Sequence, residues 1–380
     1  MTTLIKKITY GLASTALAGT FLFLPQGINT VHAKSSNAAS VQHVQLISDQ
    51  QTVGSGGYIS YHLLYHHVEN KNASHTWLKV KVPQGLEIDQ DDLKGAKWDK
   101  ATRTLLWDLK AHSKGKGDDR DADKGSGVIH FKLKVKGDVP VGTRYDLYGI
   151  LEQDGKVIFK TPNVNIQTGT EIHQPFFTGY PDGKFHPQSS ITRAEVAAVV
   201  ARIKNLKDSS SHTRYSDVPQ SHWAYKVIHQ VTNAGYMKGY RGEFNPDEPI
   251  SRAELTSLIL RIRGIEAIDL NTFEDSNKHW AKKDIATAKA LKYISGTDDK
   301  NFDPDGSTER QVAAKLFDIA LFRGPLLDGK IPVKQHFPDV DPDDWAFPWV
   351  EEASVEAHES VHKGNGEQLI RYLPNQTRSF

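Results

Sequence analysis

The sequence predicts a multidomain protein in which an N-terminal antiparallel β-sandwich is followed by an all-α, three-repeat region. From residue 41 to 170, apolar and polar residues alternate, as they do in strands with one buried face. After Gln174 the apolar residues are spaced three and four apart, which is typical of amphipathic helices. In this second part a Phe-x-Pro triplet recurs about every 58–59 residues, at Phe185, Phe244 and Phe302. Such a period predicts units that bury their apolar faces only against one another.

The composition excludes several classes of protein and of site. The chain has 380 residues, with 47 Lys and Arg against 46 Asp and Glu, so strong electrostatic attraction to nucleic acid is not expected. It contains no cysteine, which excludes disulfides, thiolate metal sites, iron–sulfur ligation and cysteine nucleophiles. A secreted chain without cysteine fits a Gram-positive surface better than an oxidising periplasm.

Residues 1–33 have the pattern of a secretory signal peptide. Lys6 and Lys7 precede an apolar stretch that ends at Pro25, and a cleavage site follows at Ala33. A membrane anchor is the alternative, but the apolar run is short and no stop-transfer flank follows it. Residues 34–40 are predicted to be a linker. No later segment is long and apolar enough to span a bilayer, so attachment to a cell is expected to need no membrane helix.

The strands of the predicted sandwich, residues 41–170, are separated by turn signals at Pro83-Gln84-Gly85, at Asp138 to Pro140 and at Asp154-Gly155. The clearest strand patterns are Tyr58–Leu63, Trp77–Val82, Thr104–Trp107 and Val128–Val135. Seven or eight short strands over about 125 residues favour a sandwich. The order of these cues resembles the extracellular β-sandwich repeat of bacterial surface proteins.

The helical part carries a second recurring landmark, an aspartate followed a few residues later by Trp-Ala: Asp217 with Trp223, Asp275 with Trp280, and Asp339 with Trp345. The motifs Tyr180-Pro181-Asp182-Gly183-Lys184-Phe185-His186-Pro187, Ile191-Thr192-Arg193-Ala194-Glu195 and Tyr215-Ser216-Asp217-Val218 resemble S-layer homology modules, which bacterial surface proteins use to hold the cell wall. The resemblance covers residues 176–380 and begins midway through a module: a second half (176–206), two units (215–262 and 273–322) and a first half (337–380). It implies a three-fold spindle.

Each unit contains a predicted helix start of the same design. Thr192 as N-cap with Glu195 three residues later is a capping box, and Ser251 with Glu254 repeats it. Thr308 with Gln311 is predicted to be the third copy. Thr and Glu at these positions therefore start helices.

Arg193 and Arg252 are predicted at the first helical position, where a cation opposes the helix dipole at a cost of about 0.3–1 kcal/mol. A helix N-terminus with free N–H groups and a guanidinium can bind an anion, although a surface arginine can also simply pair with a nearby acid. The family resemblance implies that these arginines contact the acidic pyruvyl ketal of a wall polysaccharide. In the third copy Glu309 stands at the predicted arginine position, so that groove is expected to be degenerate unless Arg310 or Arg378 reaches it.

Trp223, Trp280 and Trp345 are predicted in the opening turn of the other helices. Core packing is the more common role of such a residue, and a platform for sugar rings is the functional alternative. Asp217, Asp275 and Asp339 are expected either to cap these helices, the commoner role, or to bind saccharide hydroxyls.

Other motifs are interpreted as structural. The segment Asp119 to Gly125 resembles a calcium loop, but its glycine is one place late and His130 stands where the bidentate glutamate belongs. His62, His66 and His67 alternate along a predicted strand and do not share a helical face. No nucleotide-binding, serine-hydrolase or zinc-protease motif is present. The sequence therefore predicts no catalytic residue, metal or cofactor.

The resulting hypothesis is a secreted, non-catalytic protein of the cell wall or S-layer. It is expected to bind non-covalently, through Arg193, Arg252, the three tryptophans and the three aspartates, to a pyruvylated secondary cell-wall polysaccharide attached to peptidoglycan, and to display the sandwich outward. Three alternatives stay open: an adhesin or scaffold whose sandwich binds other surface proteins, a wall-associated glycan-acting enzyme, and an S-layer subunit.

Overall fold

The computed structural model describes residues 43–66, 68, 73–89, 93, 95–109, 125–207, 215–354 and 356–378. The predicted signal peptide, the linker, His67 and residues 119–124 of the calcium-like segment lie outside them. Within the described residues no helix is long and apolar enough to cross a membrane.

The N-terminal part is rich in β-strands, as predicted. Its twelve strands within the described residues are β1 (His43–Ser48), β2 (Thr52–Val53), β3 (Tyr58–His66), β4 (Thr76–Lys81), β5 (Leu86–Ile88), β6 (Lys97–Asp99), β7 (Thr104–Asp108), β8 (Gly127–Val135), β9 (Arg144–Leu147), β10 (Gly149–Gln153), β11 (Lys156–Lys160) and β12 (Val164–Thr168). One sheet has the order β1-β3-β8-β5, a second β11-β10-β4-β7-β6, and a small third β2-β12-β9.

The two larger sheets share one apolar core. Alternate residues of β3 and β8 point into it, and the antiparallel register places Tyr61 opposite Phe131. The ring of Trp107, from the second sheet, lies 5.2 Å from that of Phe131. Side chains from both sheets therefore interdigitate, as in a β-sandwich.

The C-terminal part contains six α-helices within the described residues: α1 (Arg193–Ile203), α2 (Tyr225–Asn233), α3 (Arg252–Arg263), α4 (Lys282–Ala290), α5 (Arg310–Ala320) and α6 (Phe347–Ser354). The segments before α1, α3 and α5 are joined in a closed ring of backbone hydrogen bonds. Ile191 N–H donates to Thr308 O (2.9 Å), Thr308 N–H to Ile250 O (3.0 Å), and Ile250 N–H to Ile191 O (3.0 Å). The ring holds the three helix starts side by side.

The prediction of an all-α second part is wrong at its C-terminus. Strands β13 (Glu171–His173), β14 (Leu326–Leu327), β15 (His358–Lys363) and β16 (Gly366–Tyr372) form a sheet of order β13-β15-β16-β14. Tyr372, whose Tyr372-Leu373-Pro374 triplet loosely matches the recurring Phe-x-Pro triplet, ends β16. In β15 buried and less buried residues alternate, as is typical of a strand. The sequence analysis did not detect this alternation because it followed the recurring landmarks of the helical repeats.

The sandwich packs directly on the helical part. Ile47, Leu64 and Val128 lie on the outer face of the first sheet and share an apolar cluster with Leu260 and Tyr293, among other helical residues. Two hydrogen bonds join Gln45 to the backbone of Glu266 (2.8 and 2.9 Å) beside this cluster. The two parts therefore share an apolar interface in addition to their covalent connection.

Candidate functional site

The starts of α1 and α3 contain the predicted capping boxes. The hydroxyl of Thr192 accepts from Glu195 N–H, and the carboxylate of Glu195 accepts from Thr192 N–H; Ser251 and Glu254 repeat both bonds. The backbone N–H groups of the first two helical residues do not point to solvent, however. Those of Arg193 and Ala194 donate to carbonyl oxygens of the next Phe-x-Pro turn, at 2.9 Å each. The expectation of free N–H groups at an anion site is therefore wrong, because the neighbouring repeat uses them.

Arg193 is buried and bound on every side. Its Nε donates to Phe244 O (2.8 Å), Nη2 to Lys238 O (2.9 Å), and Nη1 to the carboxylate of Glu254. The guanidinium also lies 4.9 Å from the centre of the Phe244 ring. Arg193 thus joins the start of α1 to the second repeat, and its charge is balanced inside the protein.

Arg252 occupies the same place at α3 and is less buried. Its Nε donates to Phe302 O (2.7 Å) and its Nη2 to Ser295 O (3.1 Å). Among the described residues no carboxylate lies within ion-pair distance of it, and Nη1 has no hydrogen-bond acceptor. Burial lowers the pKa of Arg252, an effect that the carboxylates of Asp303, Glu309 and Asp275 partly offset. Its guanidinium therefore has capacity for one more acceptor.

The third helix start differs from its prediction. Helix α5 begins at Arg310, with Glu309 as N-cap, so Thr308 and Gln311 do not form a capping box. Arg310 takes the place of Arg193: it donates to Phe185 O (3.0 Å), Thr178 O (3.1 Å) and Glu195 Oε1 (3.1 Å). The assignment of Glu309 to the arginine position is wrong by one residue, because the helix begins one residue later than the capping pattern suggested.

The three predicted aspartates hold Phe-x-Pro turns. The carboxylate of Asp217 accepts from Phe244 N–H (2.9 Å) and Asn245 N–H (2.6 Å). Asn245 has φ of 56°, a left-handed conformation that these bonds stabilise. Asp275 binds the turn at Phe302 in the same way, and Asp339 the turn at Phe185. None of the three caps a helix, contrary to the favoured prediction, since α2 and α4 have Ala224 and Ala281 as N-caps.

The three tryptophans are exposed. Trp223, Trp280 and Trp345 have 64%, 66% and 49% of their surface accessible. Core packing, the role favoured from the sequence, is therefore wrong: the alanine that follows each tryptophan is the buried residue. Exposed indole rings are platforms on which sugar rings can stack.

A groove of about 240 Å³ is lined mainly by the second repeat, with Arg193 from the first and Trp280 from the third. Its wall includes Arg193, Tyr236, Lys238, Glu254, Ser257 and Arg261. Lys238 and Arg261 are exposed cations that the sequence analysis did not select. The sequence could have indicated Arg261, because residues 254, 257 and 261 are spaced three and four apart and therefore lie on one face of α3. We call this the Trp280 groove; Trp223, Trp345 and Arg252 are not part of its lining.

A wider depression of about 610 Å³ lies beside it. Arg193, Lys238 and Glu254 line both, and the depression adds Asp217 and Tyr240. The groove combines an exposed aromatic face with cations, which suits a ligand that has both apolar C–H surfaces and negative charge.

The S-layer homology domain model matches residues 176–197, 214–256 and 272–311. Over 217 residues, 53% of this chain, the sequence is 34% identical to cell surface glycoprotein 1 of Acetivibrio thermocellus, of which it covers 9%. It is 33% identical over 216 residues to the cellulosome-anchoring protein of the same organism, of which it covers 47%. The chain thus spans about half or less of these relatives.

Among solved structures, the major pilin subunit BcpA of Bacillus cereus aligns with 34% of this chain and 41% of its own, at 12% identity and a TM-score of 0.26. The S-layer homology repeats coincide with the helix starts and Phe-x-Pro turns described above. Residues 176–311 therefore contain S-layer homology repeats, and the relatives that share them are proteins of the bacterial cell surface.

Proposed function

We propose that this protein is a non-catalytic anchor that binds an anionic cell-wall glycopolymer in the Trp280 groove. The observation that carries the proposal is the placement of an exposed tryptophan beside two exposed cations, Lys238 and Arg261, in one concave surface. The cell-surface and anchoring relatives support the same role.

Each group in the groove has a distinct part in binding. The indole of Trp280 stacks on the C–H face of a sugar ring, and its N–H is available to a hydroxyl. Arg261 and Lys238 bind a carboxylate such as that of a pyruvyl ketal, arginine through two parallel N–H donors and lysine as a point charge. Arg193 and Glu254 neutralise each other and fix the wall of the groove, so they position the ligand-binding groups.

Arg252 provides a second anion contact at another repeat. Its unused Nη1 and partial exposure allow it to donate to a carboxylate of the ligand, whereas Arg193 and Arg310 are already paired with Glu254 and Glu195. The ring of hydrogen bonds that joins the three helix starts supports the three-fold arrangement implied by the family. Trp223, Trp280 and Trp345 each precede one of the other helices of the repeat region, α2, α4 and α6.

Several weak contacts on one rigid body suit a repetitive polymer. One charge-assisted hydrogen bond contributes about 1.5–3 kcal/mol, so a single groove binds weakly. A second contact on the same polymer chain forms at high effective concentration and raises the overall affinity without any new type of contact.

The test is co-sedimentation of the purified protein with cell walls before and after removal of the secondary polymer. We expect the wild type to pellet only with intact walls. Trp280→Ala and Arg261→Ala should each reduce pelleting about tenfold or more, while circular dichroism stays unchanged because both side chains are exposed. Lys156→Ala, an exposed lysine on the sandwich, is the matched control and should pellet like the wild type.

Two outcomes would contradict the proposal. Pelleting that persists on bare peptidoglycan would exclude the polymer as the ligand. Full binding by Trp280→Ala and Arg261→Ala with polymer-bearing walls would exclude the Trp280 groove as the site.

A further inference from the structure

Lys315, the sixth residue of α5, is a half-buried cation without a counter-ion. It forms no hydrogen bond or ion pair with any residue that the structure describes. Burial lowers the pKa of its ammonium group, and no carboxylate offsets that effect. Since a charged group removed from water usually has a partner of opposite charge, the position of Lys315 requires an explanation.

Two indole rings lie beside this ammonium group. Its Nζ is 5.9 Å from the centre of the Trp345 ring and 6.0 Å from that of the Trp349 ring. Trp345 is 49% exposed and Trp349 is half-buried, so the surface formed by the three side chains is open to solvent. Aromatic rings attract a cation but do not neutralise its charge, and the ammonium group therefore still has the capacity to bind an anion.

The helix pair α3–α4 has a different pair of residues at the same positions. The sixth residue of α3 is Ser257 and the third residue of α4 is Asp284, and the Ser257 hydroxyl donates to the Asp284 carboxylate. In the pair α5–α6 these positions hold Lys315 and Trp349. An indole thus stands where α4 has an acid, so a counter-ion for Lys315 has to come from outside this helix pair.

The two helix pairs also differ in where they carry a cation beside the exposed tryptophan. The Trp280 groove contains the sixth and the tenth residues of α3, Ser257 and Arg261. On α5 the tenth residue is the apolar Ile319, and the cation is the sixth residue, Lys315. A shift of four residues moves the charge by about one helical turn along the same face. Both pairs therefore combine an exposed indole with a cation, although no single motif position supplies it.

We propose that Lys315, Trp345 and Trp349 form a further binding site for an acidic saccharide unit, which we call the Trp345 site. Nζ of Lys315 binds the carboxylate or phosphate of that unit, and the exposed Trp345 ring stacks on its C–H face. The inference rests on the proposed function for the class of ligand. It adds a contact at the copy where Glu309 predicted a degenerate groove, and this contact uses neither the arginine position nor the helix start.

The exposed indole favours a sugar over an acidic protein segment as the ligand. A carboxylate of either kind would satisfy Lys315, but a flat aromatic face beside the charge is complementary to the apolar face of a sugar ring. Lysine acts as a point charge without the paired donors of arginine, so the site accepts carboxylate and phosphate alike. The test therefore includes a probe for each of these chemistries.

The test uses the full chain labelled with 5-fluorotryptophan and followed by fluorine NMR. The probes are a methyl hexoside with a pyruvyl ketal, a methyl hexoside phosphate, an uncharged methyl hexoside and a short polyglutamate peptide. We expect the signals of Trp345 and Trp349, assigned with tryptophan-to-phenylalanine variants, to shift with one or both acidic sugars and with neither of the other probes. Which acidic sugar acts identifies the anionic group.

Substitutions at Lys315 test the role of its charge. Lys315→Gln should abolish the shifts of the Trp345 and Trp349 signals while leaving that of Trp280, and it should weaken co-sedimentation with walls about threefold or more. Lys315→Arg is the matched control, because it keeps the positive charge, and it should respond like the wild type. Circular dichroism should be unchanged in both variants.

A substitution at Trp349 tests the comparison with α4. Trp349→Asp should give Lys315 an internal counter-ion, as Asp284 would in α4, and should abolish the response of Trp345 to acidic sugars. Trp349→Phe keeps an aromatic ring and should retain that response. If Trp349→Asp does not fold, Lys315→Gln still decides.

The outcomes separate this inference from the proposed function. If Trp280 responds to acidic sugars while Trp345 and Trp349 do not, the Trp345 site is wrong and the Trp280 groove stands. If Lys315→Gln leaves all the shifts in place, or the uncharged sugar gives the same shifts, the site does not depend on charge and the proposal is also wrong. A response to polyglutamate alone would identify a protein ligand and overturn it. If no tryptophan signal responds to any sugar and the wild type does not pellet with walls, the proposed function fails as well.

Discussion

The first and second helix starts of the repeat region share an Arg-Ala-Glu sequence after a capping residue, yet their arginines have different surroundings. Arg193 is held by two carbonyl oxygens and by Glu254, and is buried. Arg252 is held by two carbonyl oxygens only and is half-buried. Arg193 is therefore a structural residue, whereas the guanidinium of Arg252 can bind one more acceptor.

The cause of this difference lies in the next repeat. Glu254, the third residue of α3, supplies the carboxylate to Arg193, and Glu195, the third residue of α1, supplies one to Arg310. The third residue of α5 is Val312, so Arg252 receives none. The chemistry of each arginine is thus set by a residue about 60 positions away in the chain or more, which a motif read locally does not show.

The largest effect expected from this comparison is on stability. Arg193→Ala should lower the free energy of unfolding of the repeat region by about 3 kcal/mol, because it removes three hydrogen bonds and leaves Glu254 without its cation. Arg252→Ala should cost about 1 kcal/mol, since only bonds to neutral carbonyls are lost.

Urea unfolding followed by circular dichroism and by tryptophan fluorescence would measure both changes. Arg193→Lys is the informative control, because it keeps the charge but not the three-way geometry of the guanidinium. Equal losses for the two alanine variants would mean that Glu254 contributes nothing to the difference between the two helix starts.

Much of this organisation was predictable from local patterns. Residue alternation predicted the strands, and the capping boxes at Thr192 and Ser251 predicted the starts of α1 and α3, because these signals involve residues close in sequence. The start of α5 was misplaced by one residue, since Thr308 fits the cap pattern while its backbone belongs to the ring between repeats. A local rule could not detect that tertiary contact.

The candidate sites were less predictable for the same reason. Exposure of Trp280 depends on which face of the turn the next repeat covers, and Lys238 becomes relevant only when it lies beside Arg261. The buried ion pairs of Glu352 with His173 and His358 join segments about 180 residues apart, so no local spacing in the sequence could indicate them. Only the folded chain brings these groups together.

The second prediction gives Arg252 the same kind of partner that Arg193 has. Val312→Glu should give Arg252 the carboxylate that Arg193 has, with a gain in stability of up to about 1 kcal/mol because the pair would be partly exposed. The same change should remove the contribution of Arg252 to wall binding, since its guanidinium would then be neutralised internally. Denaturant unfolding and wall co-sedimentation measure the two effects.

Val312→Gln is the matched control for shape without charge and should leave wall binding close to that of the wild type. If Val312→Glu stabilises the protein yet binds walls as before, Arg252 makes no contact with the polymer. If neither stability nor binding changes, the position does not face Arg252 as Glu254 faces Arg193.

The smallest expected effect is that of Asp49, a carboxylate at the contact between the sandwich and the helices whose charge is balanced by neighbouring groups. Asp49 accepts hydrogen bonds from His62 (2.9 Å) and from Tyr293 of the helical part (3.2 Å). Burial acts to raise the pKa of Asp49, but His62, Arg263 and Tyr293 outweigh it and hold the pKa below its ordinary value.

A carboxyl group with a lowered pKa in the folded state contributes stability that is present above its unfolded pKa and lost as the pH falls through the folded one. The wild type should therefore lose more stability than Asp49→Asn when the pH is lowered from about 5 to about 3, and the two should converge in acid. Unfolding curves at a series of pH values measure this. Parallel pH profiles would show that Asp49, unlike the arginine–glutamate pairs of the repeats, contributes no net charge stabilisation to the contact between sandwich and helices.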